Sequence, residues 1–234
     1  MLTGPQFLPA NVAQVRARIE RATALAERRP GSVTLIAVSK DQPLPLLTAA
    51  RDAGVTDFGE NYLQEALAKV AALPRAGLTW HFIGQLQANK TRAVAEHFDW
   101  VHTVDRERIA ARLSAQRPEA LPPLQVCLQV LIEPEPGKGG AAPEALADLS
   151  AAVARLPRLK LRGLMCVPPP GASVELSRAR FARVRALKDQ LNAAGHSLDV
   201  LSMGMSDDFE TAILEGATHV RIGTAVFGSR ARAP

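Results

Sequence analysis

Val33-Thr34-Leu35-Ile36-Ala37-Val38-Ser39-Lys40 is an apolar, β-branched run that ends on a lysine. Such a run reads as a strand buried on both faces, the kind found in parallel sheets. The carboxyl end of a parallel strand is where α/β proteins keep their ligands. A lysine partly desolvated there loses its proton more readily, and its amine can then attack a carbonyl to form a Schiff base. The plain alternative is a lysine that snorkels its charge into water at a strand end.

Outward from this strand, apolar runs of strand length alternate with stretches of helical period. Strands are predicted over 33–39, 56–59, 79–83, 100–104, 124–132, 159–167, 198–202 and 219–222. Helices are predicted over 9–29, 45–53, 61–73, 89–97, 106–117, 143–156, 174–194 and 208–215. About eight β/α units in a chain of this length predict a single (β/α)8 TIM-like barrel with an N-terminal helix, one domain over 1–234. A doubly wound open sheet is the alternative. The stretches 134–142 and 168–173, rich in proline and glycine, read as loops at one face. Within the first, Gly137-Lys138-Gly139-Gly140 lacks the remaining glycine and Ser/Thr of a phosphate-binding loop and reads as a mobile loop.

Composition narrows the class. Of 234 residues, 47% are hydrophobic and 22% charged, ordinary for a soluble globular chain. The N-terminus shows no charged region followed by an apolar one, and no stretch has the length and apolarity of a membrane span. Cys127 and Cys166 both lie in apolar runs and read as reduced, packed thiols of a cytoplasmic protein, with a disulfide as the alternative. The net charge of +5 raises the question of nucleic acid, but the arginines are scattered over helices and only one tyrosine is available for stacking, so no specific nucleic-acid site is expected. The five histidines show no metal-ligand spacing. Among the lysines only Lys40 and Lys160 touch strand-like runs, and Lys160 precedes its run. Arginine stays protonated and cannot replace lysine in imine chemistry.

Two segments near the chain's end add a second signal. Leu201-Ser202-Met203-Gly204-Met205-Ser206-Asp207 follows the seventh strand, and Val220-Arg221-Ile222-Gly223-Thr224-Ala225-Val226-Phe227-Gly228 contains the eighth. Loops after the last two strands of such barrels often bind phosphate, glycines admit close backbone approach, and Ser206 and Thr224 add hydroxyl donors. Ser206 reads equally well as the N-cap of the following helix. Glu60-Asn61 and Asp207-Asp208 read as acid/base candidates or as caps. Phosphate together with an imine-forming lysine points to pyridoxal phosphate (PLP).

The chain resembles the pyridoxal phosphate homeostasis protein family, whose fold is similar to the barrel domain of alanine racemase. The resemblance rests on Leu35-Ile36-Ala37-Val38-Ser39-Lys40, Phe58-Gly59-Glu60-Asn61-Tyr62-Leu63-Gln64-Glu65, Trp80-His81-Phe82-Ile83-Gly84-Gln85-Leu86-Gln87-Ala88-Asn89-Lys90, Gly163-Leu164-Met165 and the two late segments. It implies that Lys40 carries PLP as an internal aldimine. It implies that Ser206, Gly223 and Thr224 hold the phosphate and Arg221 faces the pyridine nitrogen, while Asn61, His81, Met165 and Met203 line the pocket. One departure stands out: Leu131 occupies a position on the fifth strand where the family usually carries asparagine.

Arg221 bears on function. A cation against the pyridine nitrogen disfavours its protonation, which makes the ring a poorer electron sink. The alternative is an ion pair at a strand end. The expected role is intracellular PLP buffering and delivery by a monomer, without dedicated turnover, with apo PLP-dependent enzymes as recipients and amino acids as weak transimination ligands. The alternative is an amino-acid racemase or related PLP enzyme of low activity. Against it stand Tyr62 as the only tyrosine, inside the matched stretch, and a chain that stops at Pro234 where racemases continue into a second domain.

Overall fold

The computed structural model describes residues 4–73, 76–133, 137 and 139–228. Eight parallel strands close a barrel in chain order: β1 Thr34–Val38, β2 Asp57–Glu60, β3 Thr79–Phe82, β4 Trp100–Val104, β5 Leu124–Gln129, β6 Leu159–Met165, β7 Val200–Ser202 and β8 His219–Ile222. Around it lie α1 Leu8–Leu25, α2 Leu44–Asp52, α3 Leu63–Ala72, α4 Thr91–His97, α5 Glu107–Gln116, α6 Leu146–Ala154, α7 Val174–Ala193, α8 Phe209–Leu214 and α9 Thr224–Phe227. The closed barrel, not the open sheet, is the architecture. No helix among the described residues is long and apolar enough to cross a membrane. Of the predicted loop at 134–142, residues 134–136 and Lys138 lie outside the described residues.

Differences from the predicted elements have local causes. Three helices are led by 3-10 turns, Pro5–Phe7, Ala88–Lys90 and Pro143–Ala145. The fifth strand stops at Gln129 rather than 132, and the sixth at Met165 rather than 167, just before Pro168 removes a ladder donor. Helix α9 was not predicted, because four residues are too few to show a helical period. The long helix α7 starts where the Ser173 hydroxyl accepts from the Leu176 N–H at 3.2 Å.

Side-chain alternation sorts the strands into two layers. Leu35 and Ala37 of β1 pack outward with the helices, as do Phe58, Trp80, Phe82 and Leu201. Fully burying a large apolar side chain in this layer contributes about 1.5–3 kcal/mol. Ile36 is fully buried outside that layer, and a Cβ at Gly59 of β2 would meet its Cγ2 at 2.8 Å, which places both inside the barrel. Lys40 therefore shares the inward parity of Ile36 and Val38.

The barrel interior is unusual. Trp100, Cys127, Met165 and Val200 form a small apolar cluster, and the rings of His81, His102 and His219 pack around Trp100. Arg162 covers the Trp100 ring at 5.0 Å and pairs with Asp199 at 2.5 Å. Cys127 and Cys166 are both free and buried, and burial pushes both thiols up to about 12.

Candidate functional site

A cavity of about 310 Å³ opens where the strands end at the carboxyl face. Val38 and Lys40 reach it from β1, Asn61 from β2 and Ile83 from β3. Met165 and Val167 line it from β6, Met205, Ser206 and Asp207 from β7, and Arg221, Gly223, Thr224 and Gly228 from β8. Its volume falls at the small end of the range for small-molecule sites. Six of the expected site residues besides Lys40 thus share one cavity: Asn61, Met165, Ser206, Arg221, Gly223 and Thr224.

Two expected residues are not on its wall, Met203 and His81. Ser202 points inward from β7, so alternation sends Met203 outward into the helix layer, where it is fully buried. Gly204, at φ 93, then breaks the alternation and Met205 returns to the cavity in its place. His81 does point inward but lies two residues below Ile83 on the same strand path, about 6–7 Å deeper. Its ring nitrogens are taken by His102 at 2.9 Å and Asp57 at 3.0 Å. Leu131 lies off the cavity as well, beside a smaller one lined by Gln129, Glu133 and Pro168. Leu131, the departure from the family pattern, is thus not one of the residues lining the Lys40 cavity, though Val167 lines both.

The lysine side is gripped by charge. β1 ends at Val38, and Ser39 adds one more ladder bond, its N–H to the Gly59 carbonyl at 3.0 Å. Lys69 of α3, 6% exposed, donates from its ammonium to the Ser39 carbonyl at 2.5 Å, to Glu60 at 2.8 Å and to Glu65. The Ser39 hydroxyl donates to the same Glu60 oxygen at 2.5 Å, and Glu65 accepts the Asp41 N–H at 2.7 Å. Asp41 sits at φ 59, a left-handed conformation that Asp tolerates better than most residues. Both neighbours of Lys40 are therefore tied to one buried cluster. Burial raises the Glu60 pKa, against the opposing pull of Lys69 and Ser39. Glu60 belongs to this cluster rather than to the cavity wall, and no side-chain cap bond starts α3. The sequence signal was present in the Glu65–Lys69 spacing of one helical turn, but not in its burial.

The opposite side is held by neutral groups. Arg221, 4% exposed, donates from Nη1 to the Ser202 carbonyl at 2.6 Å and hydroxyl at 2.9 Å, and from Nη2 to the Cys166 carbonyl at 2.8 Å. No carboxylate among the described residues pairs with it, so the strand-end ion pair is not what holds it. Burial lowers its pKa from the ordinary arginine value, and an arginine still remains a cation. Ser206 does not cap α8. Its hydroxyl accepts instead from the Ala225 N–H at 3.4 Å, joining the loops after β7 and β8. Asp208 closes the turn, accepting the Met205 N–H at 2.7 Å.

One wall atom lacks a partner. Asn61 Oδ1 is buried and makes no hydrogen bond. Its backbone is fixed by Gly84, where a Cβ would meet the Asn61 carbonyl oxygen at 2.0 Å. Buried polar atoms are nearly always satisfied, so an orphan on a cavity wall marks a place for a ligand's polar group. No cluster of metal-ligating side chains occurs among the described residues.

Comparisons with known proteins identify the family. The family model described as alanine racemase, N-terminal domain, matches residues 10–231. A pyridoxal phosphate homeostasis protein of Pseudomonas aeruginosa is 58% identical over 220 residues, covering 94% of this chain and 94% of that protein. One of the same name from Escherichia coli is 49% identical over 227 residues, covering 94% and 95%. The structure of PipY from Synechococcus elongatus with PLP bound aligns with a TM-score of 0.79 at 40% identity, over 90% of this chain and 100% of that one. On this identity and coverage the chain belongs to the alanine racemase N-terminal domain family, among its pyridoxal phosphate homeostasis proteins.

Proposed function

We propose that the chain binds pyridoxal phosphate in the Lys40 cavity and serves its intracellular buffering and delivery rather than a dedicated turnover. The observation that carries this reading is the convergence, on one cavity, of an amine, a buried cation, two hydroxyls and an orphaned amide oxygen. The donor set fits the cofactor: Lys40 offers the nucleophile for its aldehyde, and Ser206, Gly223 and Thr224 offer donors for its phosphate. When bound, PLP supplies an electrophilic carbonyl and a ring able to delocalise charge. The chain's residues limit the second of these. Arg221 presents only donors, so it cannot accept a proton from the pyridine nitrogen and disfavours a positive charge there.

The racemase alternative requires a proton donor on each face of the substrate carbon. Lys40 supplies one face. Tyr62, the only tyrosine, is 56% exposed and lines a neighbouring groove with Gln64, Gln85 and Lys90, not the cavity. Amino acids would then act as amines that release the cofactor from Lys40, and apo PLP-dependent enzymes would receive it.

Two measurements test this. Borohydride reduction of PLP-loaded protein should fix the cofactor's mass on the peptide carrying Lys40, and Lys40→Ala should stay folded without the yellow absorption band. Mass on Lys138 or Lys160 would defeat the strand-end reading. Turnover of L-alanine should be slow or undetectable while cofactor passes to an apo-acceptor. A rate of about 1–1,000 per second would restore the racemase.

A further inference from the structure

A polar chain runs through the barrel interior and ends on the cavity floor. Arg221 Nη1 donates to Ser202 Oγ at 2.9 Å. Ser202 Oγ lies 2.8 Å from His102 Nδ1, His102 Nε2 lies 2.9 Å from His81 Nδ1, and His81 Nε2 lies 3.0 Å from Asp57 Oδ1. Ser202, His102 and His81 are all 0% exposed. Asp57 opens β2 at the opposite end of the barrel, beside a groove lined by Arg16, Glu20 and Thr34.

The two ends set the direction of every bond between them. An arginine only donates, and an ionised carboxylate only accepts. A Ser202 hydroxyl that accepts from Arg221 turns its own proton to His102 Nδ1. A neutral ring that accepts at Nδ1 carries its proton on Nε2, so His102 donates to His81 and His81 donates to Asp57. The reverse arrangement would leave the buried Ser202 proton without an acceptor and set a ring lone pair against the carboxylate. Burial together with His81, His219 and Arg221 holds His102 neutral, with its pKa well below the ordinary value. Burial pushes the Asp57 carboxyl up, but the bonds from His81 and Thr56 outweigh it and keep it ionised. Trp100 and His219 pack against these rings without bonding into the chain, and His219 Nδ1 meets Thr218 at 3.0 Å instead.

We propose that Ser202, His102, His81 and Asp57 are positioning residues for Arg221, forming a one-way hydrogen-bonded chain that fixes the guanidinium at the cavity floor from the far face of the barrel. Its consequence for cofactor retention rests on the reading that the cavity holds PLP. Its proton arrangement does not, and is measurable in the ligand-free protein.

The test uses nitrogen–proton correlation spectra of the histidine side chains in the full chain, without and with PLP. His81 and His102 should both appear as neutral Nε2–H tautomers. Because either end alone dictates the direction, Asp57→Ala and Ser202→Ala should each keep that pattern. The double variant should show Nδ1–H signal at one or both rings. An Nδ1–H tautomer at either ring in the unmodified protein, or an unchanged pattern in the double variant, overturns the one-way chain. Ser202→Ala should also weaken PLP binding about 3- to 10-fold, with Ser202→Thr restoring it. Unchanged binding in Ser202→Ala overturns the positioning role. If the unmodified protein fails to take up PLP at all, the cofactor reading fails while the tautomer result still decides the chain.

Discussion

The two sides of the cavity floor are built from opposite materials. Beneath Lys40 lies a charged cluster, Lys69 with Glu60 and Glu65. Beneath Arg221 lies a hydrogen-bonded row, Ser202, His102 and His81, with a carboxylate only at its far end, Asp57. The difference follows from what each must hold. Lys40 sits beyond the end of β1, next to a left-handed residue, where strand pairing no longer fixes the backbone. Strong charge-assisted bonds to the Ser39 carbonyl and the Asp41 N–H supply that restraint. Arg221 lies inside β8, whose backbone the barrel already holds, so only its side-chain direction needs fixing. Neutral bonds suffice for that and add no like charge beside a buried cation.

Acid should break this symmetry most strongly. Burial lowers His219 to about 3 and His102 well below its ordinary value. In the unfolded chain both would titrate near 6.5, so below that pH the unfolded state binds more protons and stability falls with pH. His219 alone costs roughly 2 kcal/mol between about pH 6.5 and 4.5, and His102 adds a loss of the same sign. The Glu60 shift has the opposite sign. A raised carboxyl pKa means that the folded state binds the extra proton, which offsets part of the loss as pH falls. Urea midpoints measured from about pH 7 to 4.5 should drop steeply, and more steeply in Glu60→Gln. A flat profile would contradict a neutral histidine interior.

The charged side should be the more sensitive to a single truncation. Lys69→Met keeps the stem's packing but leaves Glu60 buried without its cation. Breaking a buried pair by removing one partner costs about 3–5 kcal/mol. Urea unfolding at neutral pH measures it directly. The double variant Lys69→Met with Glu60→Leu should recover much of that loss, since a matched apolar replacement removes the stranded charge. A loss below about 1 kcal/mol in the single variant would mean that the cluster is solvated and grips nothing.

The strand at 34–38, its lysine and the glycine-bearing ends of β7 and β8 were all legible in the sequence, because period, β-branching and glycine placement are local properties. The barrel itself followed from counting β/α units. Met203 differs from these, since no local pattern suggested it. Met203 entered the expected wall through the family resemblance rather than through alternation, which turns it outward beside the inward Ser202, and Gly204 at φ 93 brings Met205 to the cavity. The two supports beneath the floor were hidden. His81, His102 and Ser202 stand 21 and 100 residues apart in pairs, and only barrel closure brings them into register. The Glu65–Lys69 spacing was visible, but it reads as a surface pair until α3 is seen to bury it. His81 was expected at the site through the family resemblance, and it reaches Arg221 through two other residues rather than the cavity directly.

The smallest effect is expected above Arg221, where the loops after β7 and β8 meet. Ser206 Oγ accepts a single long bond from the Ala225 N–H at 3.4 Å. Thr224 opens α9 on the same wall. Removing the Ser206 hydroxyl therefore deprives the ligand-free fold of little, within about 0.5 kcal/mol. The same hydroxyl facing a phosphate would make a charge-assisted bond, so PLP retention should fall by about 0.5–3 kcal/mol for Ser206→Ala and again for Thr224→Ala. This separation of unchanged melting temperature from weakened binding is what a ligand contact predicts and a structural cap does not. Melting temperature without PLP and equilibrium binding with it, measured on both variants and their combination, decide the matter. If the combined variant binds as tightly as the unmodified chain, backbone N–H groups alone hold the phosphate. If it melts several degrees lower without ligand, the hydroxyls serve the fold and the phosphate lies elsewhere in the cavity.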